Sequence, residues 1–303
     1  MKVIIAGGSG WIGSALAHSL LADGHEVVVL SRTARPSTSV PGAHSVVWDG
    51  RTVGAWAAEL AGCHAVVNLA GASVADGRWT EARKQLLMRS RIDPTTTLVN
   101  AMEQMTGTMP LLVSASAVGY YGDRGAEPLT EDAPPGHDFL AQLAVAWEAS
   151  ACRASELGAR VVVARIGVVL GAEGALPRLA VPFRWFVGGP IGSGDQWISW
   201  VHLDDVVGMC RFAIDHPEVA GPMNVTAPHP VTNRELAEAL ANVLGRPSWI
   251  PVPGVALRVL FGELAESLLG GQRALPALAQ RLGYDFREPD LIPALRQALD
   301  VAA

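Results

Sequence analysis

The residues of this 303-residue chain best suited to chemistry are Ser114, Ser116, Tyr120 and Tyr121, gathered in LVSASAVGYYG, Leu112 to Gly122. A hydroxyl at the end of an apolar strand can orient a carbonyl or an alcohol, and a phenol can give or take the proton. An unperturbed phenol titrates at about 10, so it works near neutrality only beside a cation. Arg91, in MRSRI, is the candidate cation, and Lys84 reads as a surface residue. Ser114 and Ser116 lie two apart and share one strand face. Each residue also has a plainer use. Strand-end serines satisfy backbone groups, tyrosines pack loops, and helix arginines are commonly solvated.

Such residues act only where the fold presents them, and the first 32 residues say which fold that is. Val3 to Ala6 reads as a buried strand, Ser14 to Ala22 as a helix through Leu16, Leu20 and Leu21, and Val27 to Leu30 as a second strand. Asp23-Gly24 closes the helix. Between strand and helix stands Gly7-Gly8-Ser9-Gly10-Trp11-Ile12-Gly13. Gly7 allows the sharp exit from the strand, Gly10 the approach of a pyrophosphate, and Gly13 close packing of the helix. The helix N-terminus then offers N–H groups and a positive dipole to phosphate, with Ser9, Trp11 and Ile12 completing the loop. A glycine triplet placed between a strand and a helix, with a second strand following, predicts a dinucleotide site.

The second strand ends in Ser31-Arg32, with Arg35 close behind and no acid. A carboxylate there would accept the ribose hydroxyls of NAD, whereas an arginine fork matches a phosphate. The cofactor predicted is therefore NADP(H), with Arg32 on the 2′-phosphate and Ser31 assisting.

The pattern repeats. Strands are predicted over His44–Gly50, His64–Ala72, Pro110–Ala117, Ala159–Gly171 and Pro222–Ala227, with helices over Thr80–Met105 and Phe139–Gly158 between them. That alternation predicts an α/β fold: a Rossmann-like, doubly wound parallel sheet with a smaller, mostly helical C-terminal substrate domain. The division falls at 1–170 and 171–303, interleaved through the returning strand near 222–227. Ligands bind at the C-terminal strand ends, which selects Asp49, Leu69, Ala70, Gly71, Ser114 to Tyr121, and Gly167-Val168.

After Gly171 the chain is rich in Pro, Gly and Trp; Trp185, Phe186, Trp197 and Trp200 line a pocket or form the core between domains. Thr232 or Asn233 caps a helix carrying Glu235 and ending at Gly245. Arg273 is read either as closing the pocket over an anion or as a surface residue. A net charge of −6 with no basic block argues against nucleic acid. No run reaches the roughly 18 apolar residues of a membrane span. Cys63, Cys152 and Cys210 have no metal-ligand spacing, so no metal is expected and the chain reads as cytoplasmic.

Taken together, GGSGWIG, SRT, NLAGASVADGRWTEARKQLLMRSRI, SAVGYYGD, FLAQLAVAWEASA, GGPIGSGDQWISWVHLDD and GGQRALPALAQRLGYDFREPDLIPAL resemble a short-chain dehydrogenase/reductase of the extended, epimerase-like type. The match is closer to an atypical branch with a short C-terminal domain. The resemblance covers essentially the whole chain. It implies an NADP(H)-dependent oxidoreductase or epimerase-like protein acting on a small carbonyl or hydroxyl compound. It places Ser116 at the catalytic serine position and Arg91 on the cofactor. It also points to a homodimer, with the helix over 139–158 as a candidate face.

The usual Tyr-x-x-x-Lys pair is missing. With Glu148 matched to the family's helix glutamate, Leu140 stands at the tyrosine position and Ala144 at the lysine position. Tyr121 and Tyr120 are the nearest replacements for the missing acid, and a catalytically silent NADPH-binding sensor is the alternative. In WVHLDD, Asp204 is expected to cap a helix, and His202 either anchors the segment or faces substrate. Glu148 is expected in a pocket or on the solvent side of its helix.

Overall fold

Short β-branched runs alternate with longer amphipathic ones along this chain. Both are buried only if helices cover both faces of a parallel sheet. The computed structural model describes residues 1–32 and 40–301; the predicted contribution of Arg35 lies outside them. The strands of the central sheet are β1 (Lys2–Ala6), β2 (Glu26–Ser31), β3 (His44–Val47), β4 (Ala65–Asn68), β5 (Leu111–Ala117), β6 (Val161–Ile166) and β7 (Gly221–Val225). They lie in the order β3-β2-β1-β4-β5-β6-β7, with every pair parallel. This is the Rossmann arrangement, in which the order reverses beside β1 and leaves a crevice at the strand ends.

Successive residues of each strand feed opposite layers. Val3 and Ile5 of β1 pack beneath α1 (Trp11–Ala22) and α5 (Leu203–Asp215), against Leu16, Leu20, Val206 and Met209. Ile4 and Ala6 face α2 (Glu81–Glu103) and α3 (Phe139–Glu156), against Leu98, Met102, Ala151 and Ala154. At roughly 25 cal/mol per Å² of buried apolar surface, these two layers supply most of the driving force for folding.

A third core lies outside the sheet. α4 (Ala175–Arg184) and α6 (Asn233–Leu244) enclose Leu170, Leu176, Trp200, Leu236 and Leu240. Beyond them α7 (Gly254–Phe261), α8 (Leu264–Leu269), α9 (Ala277–Arg281) and α10 (Leu291–Ala298) finish the described chain. Thr232 caps α6 in a full capping box with Glu235, and Gly245 ends that helix in the left-handed conformation. α5 and β7 come from the second half of the chain but complete the layers of the first.

Two sequence expectations need correction. The strand predicted over Ala159–Gly171 is broken at Gly167. Gly167 N–H still bonds Val225 O of β7, but Val168 N–H bonds Ser199 O instead. Residues Val168–Leu170 then pair with Trp200–His202 in a separate ribbon. A Cβ on Gly167 would sit 2.3 Å from Ser199 O, so only glycine lets the second ribbon cross here. The cap of α5 is His202, whose ring nitrogen accepts from Asp204 N–H at 3.3 Å; Asp204 lies inside the helix.

Candidate active site

The glycine loop is built as its spacing requires. Gly7 has φ +78°, and a Cβ on Gly13 would stand 2.4 Å from Gly7 O. The loop therefore folds back onto the first turn of α1, and Gly13 serves that closure more than packing on the sheet. Gly10 is the N-cap and no side chain caps the helix, so its N-terminal dipole faces the crevice unneutralised. Leu69 and Ala70 pack on Gly7, which brings the end of β4 to the same crevice. The Trp11 ring lies against Gly171, tying the loop to the segment after Val168–Leu170. Ser31 ends β2, and Arg32 follows it, exposed.

Arg91 projects from α2 towards Gly71. Its guanidinium carbon is 3.3 Å from where a Cβ on Gly71 would sit, and it donates to Ala72 O at 3.0 Å. The same group lies over the Trp147 ring, 5.2 Å from its centroid. Burial, with a smaller push from Arg83, lowers its pKa to about 10. Among the described residues no carboxylate forms an ion pair with it. Below Arg91 a polar cluster crosses the helices: Thr95 donates to Arg91 O and accepts from Asn68 and from Trp147 at 3.0 Å. Ser114 is buried at the edge of that cluster, 3.5 Å from Asn68 Nδ2.

The chemistry-bearing stretch itself is organised by a residue the sequence reading passed over. Arg165 of β6 stands opposite Ser116 in the β5–β6 register and is 3% exposed. Its Nε and Nη2 each donate to Glu148 at 2.9 Å, a bidentate pair. Its Nη1 donates to Tyr121 OH at 3.0 Å, and its guanidinium lies 3.5 Å from the centroid of the Tyr120 ring. Ser116 Oγ donates to Glu148 Oε1 at 2.6 Å. Tyr121 OH in turn donates to Asn224 Oδ1 of β7 at 2.7 Å. Burial disfavours the charge on Arg165, but Glu148 and Tyr121 outweigh it and hold the group above the ordinary arginine range. A charge inside VVVARIGVVLG was the available signal, because an arginine in a buried strand must have a partner.

Several expectations change accordingly. Glu148 is neither solvated nor free, but the centre of a buried network. The cation beside the tyrosines is Arg165, while Arg91 stacks on Trp147. Tyr121 is fully buried, and burial pushes its phenol up to about 12 despite Arg165. Its hydroxyl already joins two partners, so it is not a free acid. Leu140, at the missing tyrosine's position, packs against Gly119 just after Ser116, and Ala144 is buried. Of the tryptophan-rich segment, Trp200 is core, Trp197 carries the Arg273 guanidinium 4.4 Å from its centroid, and Trp185 and Phe186 are exposed. Lys84 is not a bare surface residue: it pairs with Glu263 from the C-terminal part.

Residues 3–226 match the model of the NAD dependent epimerase/dehydratase family. The chain belongs to that family. Residues 252–298 match a domain of unknown function, DUF1731. The epimerase family protein YfhF of Bacillus subtilis is 39% identical over 300 residues, covering 99% of this chain and 98% of that protein. The crystal structure of the human epimerase family protein SDR39U1 (isoform 2) with NADPH superposes with a TM-score of 0.88 at 35% identity, covering 99% of both chains. UDP-glucuronic acid 4-epimerase of Bacillus cereus, at 17% identity and a TM-score of 0.78, shares the fold. A relative from Arabidopsis thaliana, 39% identical, is described as chloroplastic. No helix among the described residues is long and apolar enough to cross a membrane.

Proposed function

We propose that this chain binds NADP(H) and acts on a small carbonyl or hydroxyl compound held against Ser116. Gly7, Ser9, Gly10, Trp11, Ile12 and Gly13 would receive the pyrophosphate at the open end of α1, with Leu69, Ala70 and Gly71 along the other wall. Arg32 and Ser31 would take the 2′-phosphate, since no acid competes at the end of β2. Arg91, a cation partly stripped of water and without a carboxylate, fits an anionic or ribose-bearing ligand beside Gly71. Ser114 and Val168 would complete the nicotinamide side. A bound nicotinamide supplies hydride chemistry; the chain must position the substrate and manage its proton. The NADPH in the human relative's structure supports the cofactor choice.

The observation that carries the enzyme reading is the Ser116–Glu148–Arg165 network: a strand-end serine held in one orientation by a buried ion pair. The experiment is to load the protein with NADPH and follow nicotinamide absorbance against a panel of carbonyl compounds. Turnover that Ser116→Ala abolishes supports it. A second reading, a silent NADPH-binding sensor, is favoured by one observation: Tyr121, Leu140 and Ala144 leave no free acid where the family carries its tyrosine. Tight NADPH binding with no redox turnover, neither of the carbonyl panel with NADPH nor of the matching alcohols with NADP⁺, selects that reading. A cytoplasmic location and a homodimer through the face of α3 are further proposals. Light scattering tests the second.

A further inference from the structure

We infer that Ser116 meets its ligand as a hydrogen-bond acceptor, so that the site is built for a hydroxyl-bearing compound rather than for its carbonyl counterpart. The inference rests on the reading that Ser116 faces a substrate. Glu148 receives two N–H donors from Arg165, on Oε1 and Oε2, both at 2.9 Å. A carboxylate clamped by a bidentate guanidinium is ionised and accepts only. The 2.6 Å contact between Ser116 Oγ and Glu148 Oε1 therefore consumes the one proton that the serine owns. What Oγ retains is lone pairs. A carbonyl oxygen placed there would meet a second acceptor, whereas an alcohol donates to it.

Most of the surrounding donors are already committed; the half-buried Tyr120, whose ring lies on Arg165, is the exception. Tyr121 OH is spent on Asn224 and is fully buried, and Leu140 brings an apolar side chain to Gly119. Arg165 already divides its donors among Glu148, Tyr121 and the carbonyl of Glu131. Glu148 is thus a positioning residue that acts through Ser116. Glutamine with its amide nitrogen in the place of Oε1 keeps the shape and the acceptor for Arg165 Nη2, gives up the bond from Arg165 Nε, and offers Ser116 an N–H donor. The serine proton is then released towards the ligand, and the preference inverts.

The test is ligand-observed NMR titration of the NADP⁺-saturated protein with matched alcohol and ketone pairs: 1-phenylethanol with acetophenone, cyclohexanol with cyclohexanone, and 2-butanol with butanone. The alcohol of a pair should bind about tenfold tighter, the scale of leaving a buried polar group unpaired. Glu148→Gln should level or invert that ratio. Ser116→Ala should remove the alcohol preference without weakening the ketone, which keeps the test open if Glu148→Gln does not fold. Ketones binding as tightly as alcohols in the unaltered protein, or a ratio unmoved in both variants, would overturn the inference. So would failure of every pair to bind, because Ser116 then faces no ligand. NADPH affinity, measured separately by fluorescence, decides the cofactor reading independently of these outcomes.

Discussion

At the residue scale the deciding feature is that a buried ion pair has taken over the strand end. Its consequences reach beyond function. Tyr121 stays neutral in the folded state up to about 12, whereas in the unfolded chain it ionises at about 10. The folded state therefore holds its proton longer, and stability is full below about 10 and lost as pH rises towards about 12. Tyr121→Phe removes both the hydrogen bond to Asn224 and this pH dependence. Its deficit in melting temperature should be largest at pH 8 and shrink by pH 11; an unchanged deficit would count against a protonated, hydrogen-bonded phenol. Arg32 gives a second prediction. If, as proposed, it takes the 2′-phosphate, Arg32→Ala should weaken NADPH about tenfold or more and leave NADH nearly unchanged, as read by paired isotherms. The places of Ser116 near the end of β5 and of Arg32 just after β2 were legible in the sequence because both strands are recognisable. Arg165 was not, because its partner Glu148 lies on another element and only the register of β5 with β6 brings them together.

At the element scale, the glycine loop and α1 were readable from spacing alone, since the turn, the helix start and the second strand all fall within one βαβ unit. The break at Gly167 was not, because ARVVVARIGVVLG is uniformly apolar and the segment that forces the break arrives from Ser199. Likewise the cap of α5 passed to His202 because its ring nitrogen reaches Asp204 N–H from the preceding ribbon. The first of these elements is the one on which cofactor affinity should depend. A methyl at position 13 would collide with Gly7 O at 2.4 Å, and backbone has no rotamer by which to escape. Gly13→Ala should open the loop away from α1, weaken NADPH at least tenfold and lower the melting temperature. An affinity within twofold of the unaltered protein would mean that the closed loop is not the phosphate cradle.

At the scale of the whole molecule, the question is how the C-terminal part is held against the sheet that carries the site. The fold class was legible from strand–helix alternation, but the joint was not, because its partners are far apart in sequence. Asp205 is fully buried on α5 and accepts from Tyr284 OH, Arg287 N–H and Glu288 N–H, each at 2.9 Å. Asp204 beside it accepts from Gln297 of α10 at 2.8 Å. Burial, with a further contribution from Asp205, raises the Tyr284 phenol far above its usual range, so it donates at every physiological pH. α5 packs on the central sheet, so this one carboxylate links the sheet layer to the end of the chain. Asp205→Ala leaves three donors without a partner and should cost about 3 kcal/mol or more. The loss should be local first. Hydrogen exchange of the amides between 277 and 298 should accelerate, while β1, β4 and β5, buried between two helical layers, keep their protection. Uniform acceleration across both regions would show instead that the C-terminal part and the sheet unfold as one unit, with the Asp205 joint adding nothing separable.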